Sequence, residues 1–269
     1  MGLRINDNIP ALNAQRQTGA AAQGLRKTLE GLASGLRINR AADDAAGLAI
    51  AERFRAQVRQ YAQEVNNLQT GVNVIETADQ AIGTQQEAVG RLQELATQAA
   101  NGTLNDEQRT AINQEAQQIV QQIGQTAENT EFNGVKLLNG TAGPIPVGTE
   151  AGNQININPT TPEALGIAGL NFGTREGATA ALDTLNNAAN RISQGRANLG
   201  AQNNRLTTAI EARQTAGVNL QNSESMLRDQ DVARAAVERT RNEMMLQQSL
   251  SALVQGNIIP QTAARLLGT

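Results

Sequence analysis

Apolar residues recur seven apart at Phe54, Tyr61, Leu68, Ile75, Ile82 and Val89, with Val58, Val65 and Val72 four after the first three. The same beat returns at Leu185, Ile192, Leu199, Leu206, Leu220 and Leu227, broken only by Arg213. A repeat of about 3.5 residues keeps one stripe of a helix facing a partner and draws the pair into a left-handed supercoil. Two such stripes toward opposite ends of one chain can bury each other. The pattern therefore predicts a mainly α fold of long antiparallel coiled-coil helices, a rod whose two chain ends lie side by side.

Shorter patterns fill in the rest. In residues 1–43, Ile5, Ile9 and Leu12 are helically spaced, as are Leu25, Leu29, Leu32 and Leu36. Gly19, Gly24, Gly31 and Gly35 interrupt them, and each interior glycine costs a helix roughly 0.5–1 kcal/mol relative to alanine. The first heptad helix should run from about Ala45 to Ala100, on the order of 80 Å at the usual rise per residue. Asn101-Gly102 supplies a left-handed stop, and Asn105 with Gln108 reads as a capping box opening a helix that ends near Asn129. Its inner face should carry Ile112, Ala116, Ile119 and Ile123.

From Asn133 to Gly177 come Asn133-Gly134, Asn139-Gly140, four of the six prolines and the alternating run Gln154–Asn158. These are hairpin and turn signals, read as a small β elaboration at the tip of the rod. Helix resumes near Thr179 and carries the second stripe to Leu227, with small or polar residues at the alternate seam positions Ala188, Gly195, Gln202, Ala209 and Ala216. Arg228, Asp229 and Asp231 mark a polar joint. The last segment, 232–269, is helical in pattern through Leu246, Leu250 and Leu253, and Asn257 with Pro260 predicts a break or kink before the final turn. The chain thus divides into an outer pair, 1–43 and 232–269, and a core, 44–231. The outer pair lacks enough large apolar residues to be stable in isolation, so disorder in the monomer and ordering on assembly are expected.

Composition then removes most chemistry. The 269 residues include no Cys, His or Trp, one Tyr and three Phe. Without imidazole or thiol the usual transition-metal sites and the Ser-His and Cys-His nucleophile systems cannot be built. Adjacent Asp43 and Asp44 are no catalytic pair, because neighbours on a helix point about 100° apart. No metal, cofactor or enzyme activity is implied. A net charge of −3 argues against a nucleic-acid binder. No apolar run approaches the roughly 20 residues that span a bilayer, and the amino terminus does not read as a secretory signal.

Several stretches resemble one family. The run SGLRINRAADDAAGLAI from Ser34 to Ile50 closely resembles the signature of bacterial flagellins, as do IxxNIPALNAQR at the start, LQELATQAANGT, TEFNGVKLLNG and SQGRANLGAQNNRL from Ser193. The resemblance covers nearly the whole chain, and the variable outer domains of larger members are missing. It implies an inner domain made by the terminal helices, a surrounding core domain, and self-assembly into the flagellar filament for swimming. It also implies export through the flagellar type III channel without a cleaved signal. The partners implied are other copies, hook-associated and cap proteins, and a chaperone on the carboxy-terminal helix. Two other readings stand beside it: a hook–filament junction protein, and a secreted coiled-coil adhesin or ligand.

Two polar clusters are candidate contacts. Arg37, Arg40, Asp43 and Asp44 fall at the joint between tiers, where residue types alone read as a solvated charge run with Asp at a helix start. The resemblance implies that they fix the angle between tiers and touch neighbouring subunits. Arg91, Leu95 and Glu115 match the centre of the surface that Toll-like receptor 5 recognises in some flagellins, with Gln93 where recognised members usually carry Arg.

Overall fold

The computed structural model describes residues 8–148 and 153–266, so Ile5 lies outside the described residues. Among the described residues six helices follow in order: α1 Ile9–Ser34, α2 Ala45–Ala99, α3 Asp106–Asn129, α4 Pro162–Leu165, α5 Arg175–Arg228 and α6 Val232–Leu266. Two antiparallel strand pairs lie between α3 and α4: β1 Glu131–Phe132 with β2 Val135–Lys136, and β3 Ile145–Pro146 with β4 Gln154–Ile155. Contacts group the chain into two compact units, Met1–Val58 with Val218–Thr269, and Arg59–Gly217.

Within the second unit the heptad stripes meet. Leu68, Ile75, Ile82 and Val89 of α2 and Leu185, Ile192, Leu199 and Leu206 of α5 are buried in one apolar cluster, while Tyr61 is half-buried. Polar bridges flank the seam in antiparallel order: Gln93 to Asn186, Asp79 to Arg196, Glu64 to Arg213. Arg213, the break in the stripe, is explained by the groups facing it. Its guanidinium lies 2.9 Å from the buried Glu64 carboxylate and 5.2 Å from the centre of the Tyr61 ring. A buried charge is tolerated only when paired, and an aromatic face adds to the pairing.

α3 folds back on α2 through the expected cap. Asn105 Oδ1 accepts from the Gln108 amide at 2.8 Å, and Gln108 Oε1 accepts from the Asn105 amide at 3.1 Å. Arg109, buried in the first turn, donates to the Ala99 and Asn101 carbonyls at 3.1 Å each. It thereby occupies acceptors that the end of a helix leaves without amides.

The strand pairs fall where turn chemistry put them, with Asn133 and Gly134 both at positive φ between β1 and β2. The segment beyond β4 does more than decorate a tip. Ile167, Leu170 and Phe172 are buried in the main cluster. Asn113 Oδ1 accepts from the Phe172 amide, and Gln117 Nε2 donates to the Leu170 carbonyl, so residues 165–172 run back along α3. The β3–β4 pair rests on α2 at Gly71, where an added Cβ would come within 2.7 Å of Val147 Cγ1 and 3.3 Å of Ile155 Cδ1. α5 then starts at Arg175, earlier than the expected Thr179, because Thr174 Oγ1 accepts from the Gly177 amide as a cap.

In the first unit α1 and α6 pack together. Two expectations about glycine and proline fail in this unit. Gly35 is no helix interruption: at φ 71° it is the left-handed cap that ends α1, so three glycines rather than four weaken the helix. Of the break or kink expected at Asn257 and Pro260, the break is absent, since α6 is continuous from Val232 to Leu266. A proline at 260 cannot donate to the Gly256 carbonyl four residues back. Asn8 Nδ2 donates to it instead, at 2.9 Å, while Asn8 Oδ1 caps α1 by accepting from the Ala11 amide.

Gly71 and Gly83 give a sign test on α2. Nothing lies within 4 Å of a Cβ added at Gly83. Gly83→Ala should raise the stability of the folded chain by about 0.5–1 kcal/mol in chemical denaturation, while Gly71→Ala should lower it by roughly 1–3 kcal/mol despite the same gain in helix propensity.

Candidate functional site

The joint cluster is held by interactions within the chain. A short antiparallel bridge joins Leu36 to Asp229, with the Arg37 amide donating to the Arg228 carbonyl at 2.6 Å and the Gln230 amide to the Gly35 carbonyl at 2.9 Å. The two arginines cross over this bridge. Arg37 Nη2 donates to the Leu227 carbonyl at 2.6 Å, and Arg228 Nε donates to the Ile38 carbonyl at 3.2 Å. Ile38, the apolar residue inside the charge run, is 1% exposed and anchors the loop.

The two aspartates have separate tasks. Asp44 Oδ1 accepts from the Gly47 amide at 2.8 Å and caps α2. A Cβ at Gly47 would fall 2.5 Å from Asp44 Oδ2 and 2.9 Å from Ile38 Cδ1, so this place in the family-like run needs glycine. Asp43 organises the loop: its Oδ2 accepts from the Arg40 and Asn39 amides, and its Oδ1 lies 2.9 Å from Lys27 Nζ. The Lys27 ammonium, reinforced by those amides, holds the Asp43 carboxyl below the ordinary carboxylate range. Arg40 reaches back to Glu30 at 2.8 Å. The sequence pointed to Arg37, Arg40, Asp43 and Asp44 but not to Lys27, Glu30 or Ile38. The position of Lys27 and Glu30 three apart on α1 was the one available hint.

The second feature is the way α1 and α6 divide their side chains. Among the described residues those buried on them are small: Ala14, Ala21 and Gly31 on α1, and Ala235, Ser249 and Gly256 on α6. At Gly256 an added Cβ would lie 3.4–3.6 Å from Ala11, which marks close backbone approach. Several of the large apolar residues face outward instead. Ile9 and Leu12 are more than half exposed, and Leu29 is 44% exposed. On α6, Val237, Met244, Leu250, Val254 and Ile258 are all exposed and fall within an arc of about 140° at 100° per residue. Ala235, Ser249 and Gly256 sit roughly opposite that arc. Leu25 and Leu32 share the face of α1 that carries Ala14 and Ala21, Leu246 and Leu253 fall on the side of α6 that carries Ala235, and these four, like Leu36 beyond the end of α1, are half-buried. Among the seam residues in this unit, Phe54, Leu220 and Leu227 are likewise half-buried, and Arg55–Glu224 at 2.6 Å ties α2 to α5.

The remaining charged pair, Arg91 and Glu115, is exposed and joined at 2.9 Å, and Arg91 also meets Glu94 at 2.8 Å. Leu95, placed with them on a receptor-facing surface, is 1% exposed and packs in the core. Among the described residues no group of His, Cys, Asp and Glu is arranged to hold a metal ion, and no helix is long and apolar enough to cross a membrane.

The comparisons with known proteins agree with this architecture. The family model described as the bacterial flagellin N-terminal helical region matches residues 5–143, and the one for the C-terminal helical region matches residues 182–267. A flagellin of Halalkalibacterium halodurans is 39% identical, covering 98% of this chain and 99% of that protein. A flagellin of Treponema pallidum is 35% identical over 98% of this chain and 99% of its own length. Among solved structures, a crystal structure of Bacillus cereus flagellin superposes with a TM-score of 0.51 at 29% identity, covering 55% of this chain and 88% of that one. A putative flagellar hook-associated protein from Vibrio parahaemolyticus shares the fold alone, with a TM-score of 0.57 at 14% identity over 69% of this chain and 99% of that one.

The Asp43 geometry sets a pH dependence. A carboxyl held below its unfolded value contributes stability that is fully present above about pH 3.9 and is lost as pH falls through the folded value. Asp79, lowered by its pair with Arg196, acts in the same direction. Thermal unfolding followed by circular dichroism should therefore shift to lower temperature below about pH 4, and Asp43→Asn should remove part of that shift. With seam, caps and joint all in place and both terminal regions matched, the chain belongs to the bacterial flagellin family and is a structural subunit of the flagellar filament.

Proposed function

We propose that the outward apolar side chains of α1 and α6 are covered by the same helices of neighbouring copies, and that this helix pair gains most of its stability there. The carrying observation is the division of side chains: small residues close the intramolecular contact while residues such as Val237, Leu250, Val254 and Ile258 remain in solvent. Burying one such side chain contributes about 1.5–3 kcal/mol, and a face of them outweighs the cost of ordering two helices only when several copies contribute. On this reading residues 1–43 and 232–269 form the inner tier of the filament and 44–231 the core around it. Arg37, Arg40 and the Asp43–Lys27 pair then hold the joint in one conformation, so that the lattice repeats.

Export and end contacts fit the same reading. The helix pair closes on few large side chains and opens at low cost, which suits passage through a narrow type III channel without a cleaved signal. α6 carries no charge from Met244 to Ala264, a stretch that offers an export chaperone an apolar face before assembly. Cap and hook-associated proteins then meet the same terminal surfaces at the two ends of the filament. A role as the junction protein between hook and filament is disfavoured by the full RINRAADDAAGLAI run and by relatives that are filament proteins at 98% coverage.

Deleting Ile258–Thr269 tests the assembly reading. The truncated chain should stay soluble, retain the helical signal of residues 59–217, and fail to pellet after seeding with filament fragments, whereas the full chain pellets. Filaments from the truncated chain would overturn the reading, and a full chain that never pellets would favour a soluble ligand or adhesin.

A further inference from the structure

The chain carries no cysteine and four methionines, so thioether sulfur is the only sulfur chemistry it has. The three methionines beyond Met1 are placed unusually for an apolar residue. Met226, near the end of α5, is 86% exposed, the highest value among the exposed large hydrophobic residues. Met244 is 57% exposed and lies within the uncovered arc of α6, between Val237 and Leu250 in sequence. Met245 is 40% exposed at the edge of the α1 contact. Exposure of this kind puts sulfur within reach of dissolved oxidants. The same side chains suit a packed interface, because an unbranched thioether adapts to irregular neighbours.

We propose that Met226 and Met244 are oxidation sites that control whether a free subunit can join the filament. The proposal rests on the assembly reading above. The oxidant is a peroxide. A sulfur lone pair attacks one peroxide oxygen, the O–O bond breaks, and the sulfur gains that oxygen as a sulfoxide. Sulfur is oxidised by two electrons, and the departing hydroxide takes the remaining proton and leaves as water. The product is polar and chiral where the thioether was apolar and flexible. On the outward arc of α6 that Met244 shares with Val237 and Ile258, desolvated against another copy on the assembly reading, a sulfoxide carries a strong acceptor among apolar side chains. The free subunit is therefore the vulnerable state. The filament shields its own methionines.

The test uses the full chain with hydrogen peroxide as the probe. Monomer is treated, quenched and mapped by peptide mass spectrometry, then seeded with filament fragments and followed by sedimentation. Oxygen should appear at Met226 and Met244, and elongation should slow roughly tenfold or more, the loss expected when one well-buried apolar contact is removed. A Met226→Leu, Met244→Leu, Met245→Leu chain should elongate normally and ignore peroxide. Oxidised wild-type monomer that elongates at the untreated rate overturns the proposal, as does equal slowing of the leucine chain. A second readout does not depend on the variant: preformed filaments should be oxidised at Met226 and Met244 about tenfold more slowly than monomer, and equal rates overturn it. Failure of untreated wild type to pellet would instead remove the assembly reading itself.

Discussion

The contact between α1 and α6 buries only small residues fully and leaves its leucines half-exposed. Ala14, Ala21 and Gly31 meet a helix whose buried positions are Ala235, Ser249 and Gly256. Small residues let backbones approach closely but remove little apolar surface from water, and hydrophobic gain scales with that area. Many of the large side chains of both helices, among them Ile9, Leu12, Val237, Leu250 and Val254, point to solvent. A pair built this way is specific in register and modest in apolar burial, which suits a subunit that completes its packing against other copies.

The second unit is organised on the opposite principle. Leu, Ile and Val fill the seam between α2 and α5, and the strap of residues 165–172 adds Leu, Ile and Phe to the same cluster. Arg213 inside it is paired with Glu64 and Tyr61, and Gln85 Nε2 donates to the Ile123 and Thr160 carbonyls, while Gln85 Oε1 and Thr160 Oγ1 are buried without a hydrogen-bond partner. This part has the apolar burial of an ordinary folded domain. Unlike either kind of packing, the joint uses backbone pairing, the Asp44 cap and the Asp43–Lys27 pair around one buried apolar residue, Ile38.

Periodicity made most of this legible. The heptad rows, the Asn105–Gln108 box, the Asn133-Gly134 turn and the joint aspartates all rest on short-range rules, and each stands where those rules put it. Features set by distant partners were not legible. Arg213 looks like a defect until Glu64 and Tyr61 are seen opposite it. Gly71 looks like a weak point in a helix until Val147 is found on top of it. Leu95 matched a surface pattern, yet α2 is covered on that side and the residue is buried. Pro260 followed the local rule that proline breaks helices, and the exception depends on Asn8, 248 residues away from Gly256 in sequence, supplying the missing donor.

The central claim is that α1 and α6 depend on neighbouring copies for their stability, and amide hydrogen exchange tests it most directly. In a dilute monomer, amides of α1 and α6 should exchange far faster than those of α2 and α5 between residues 59 and 217, and both helices should become protected in the filament. Full protection of α1 and α6 in the dilute monomer would contradict the account.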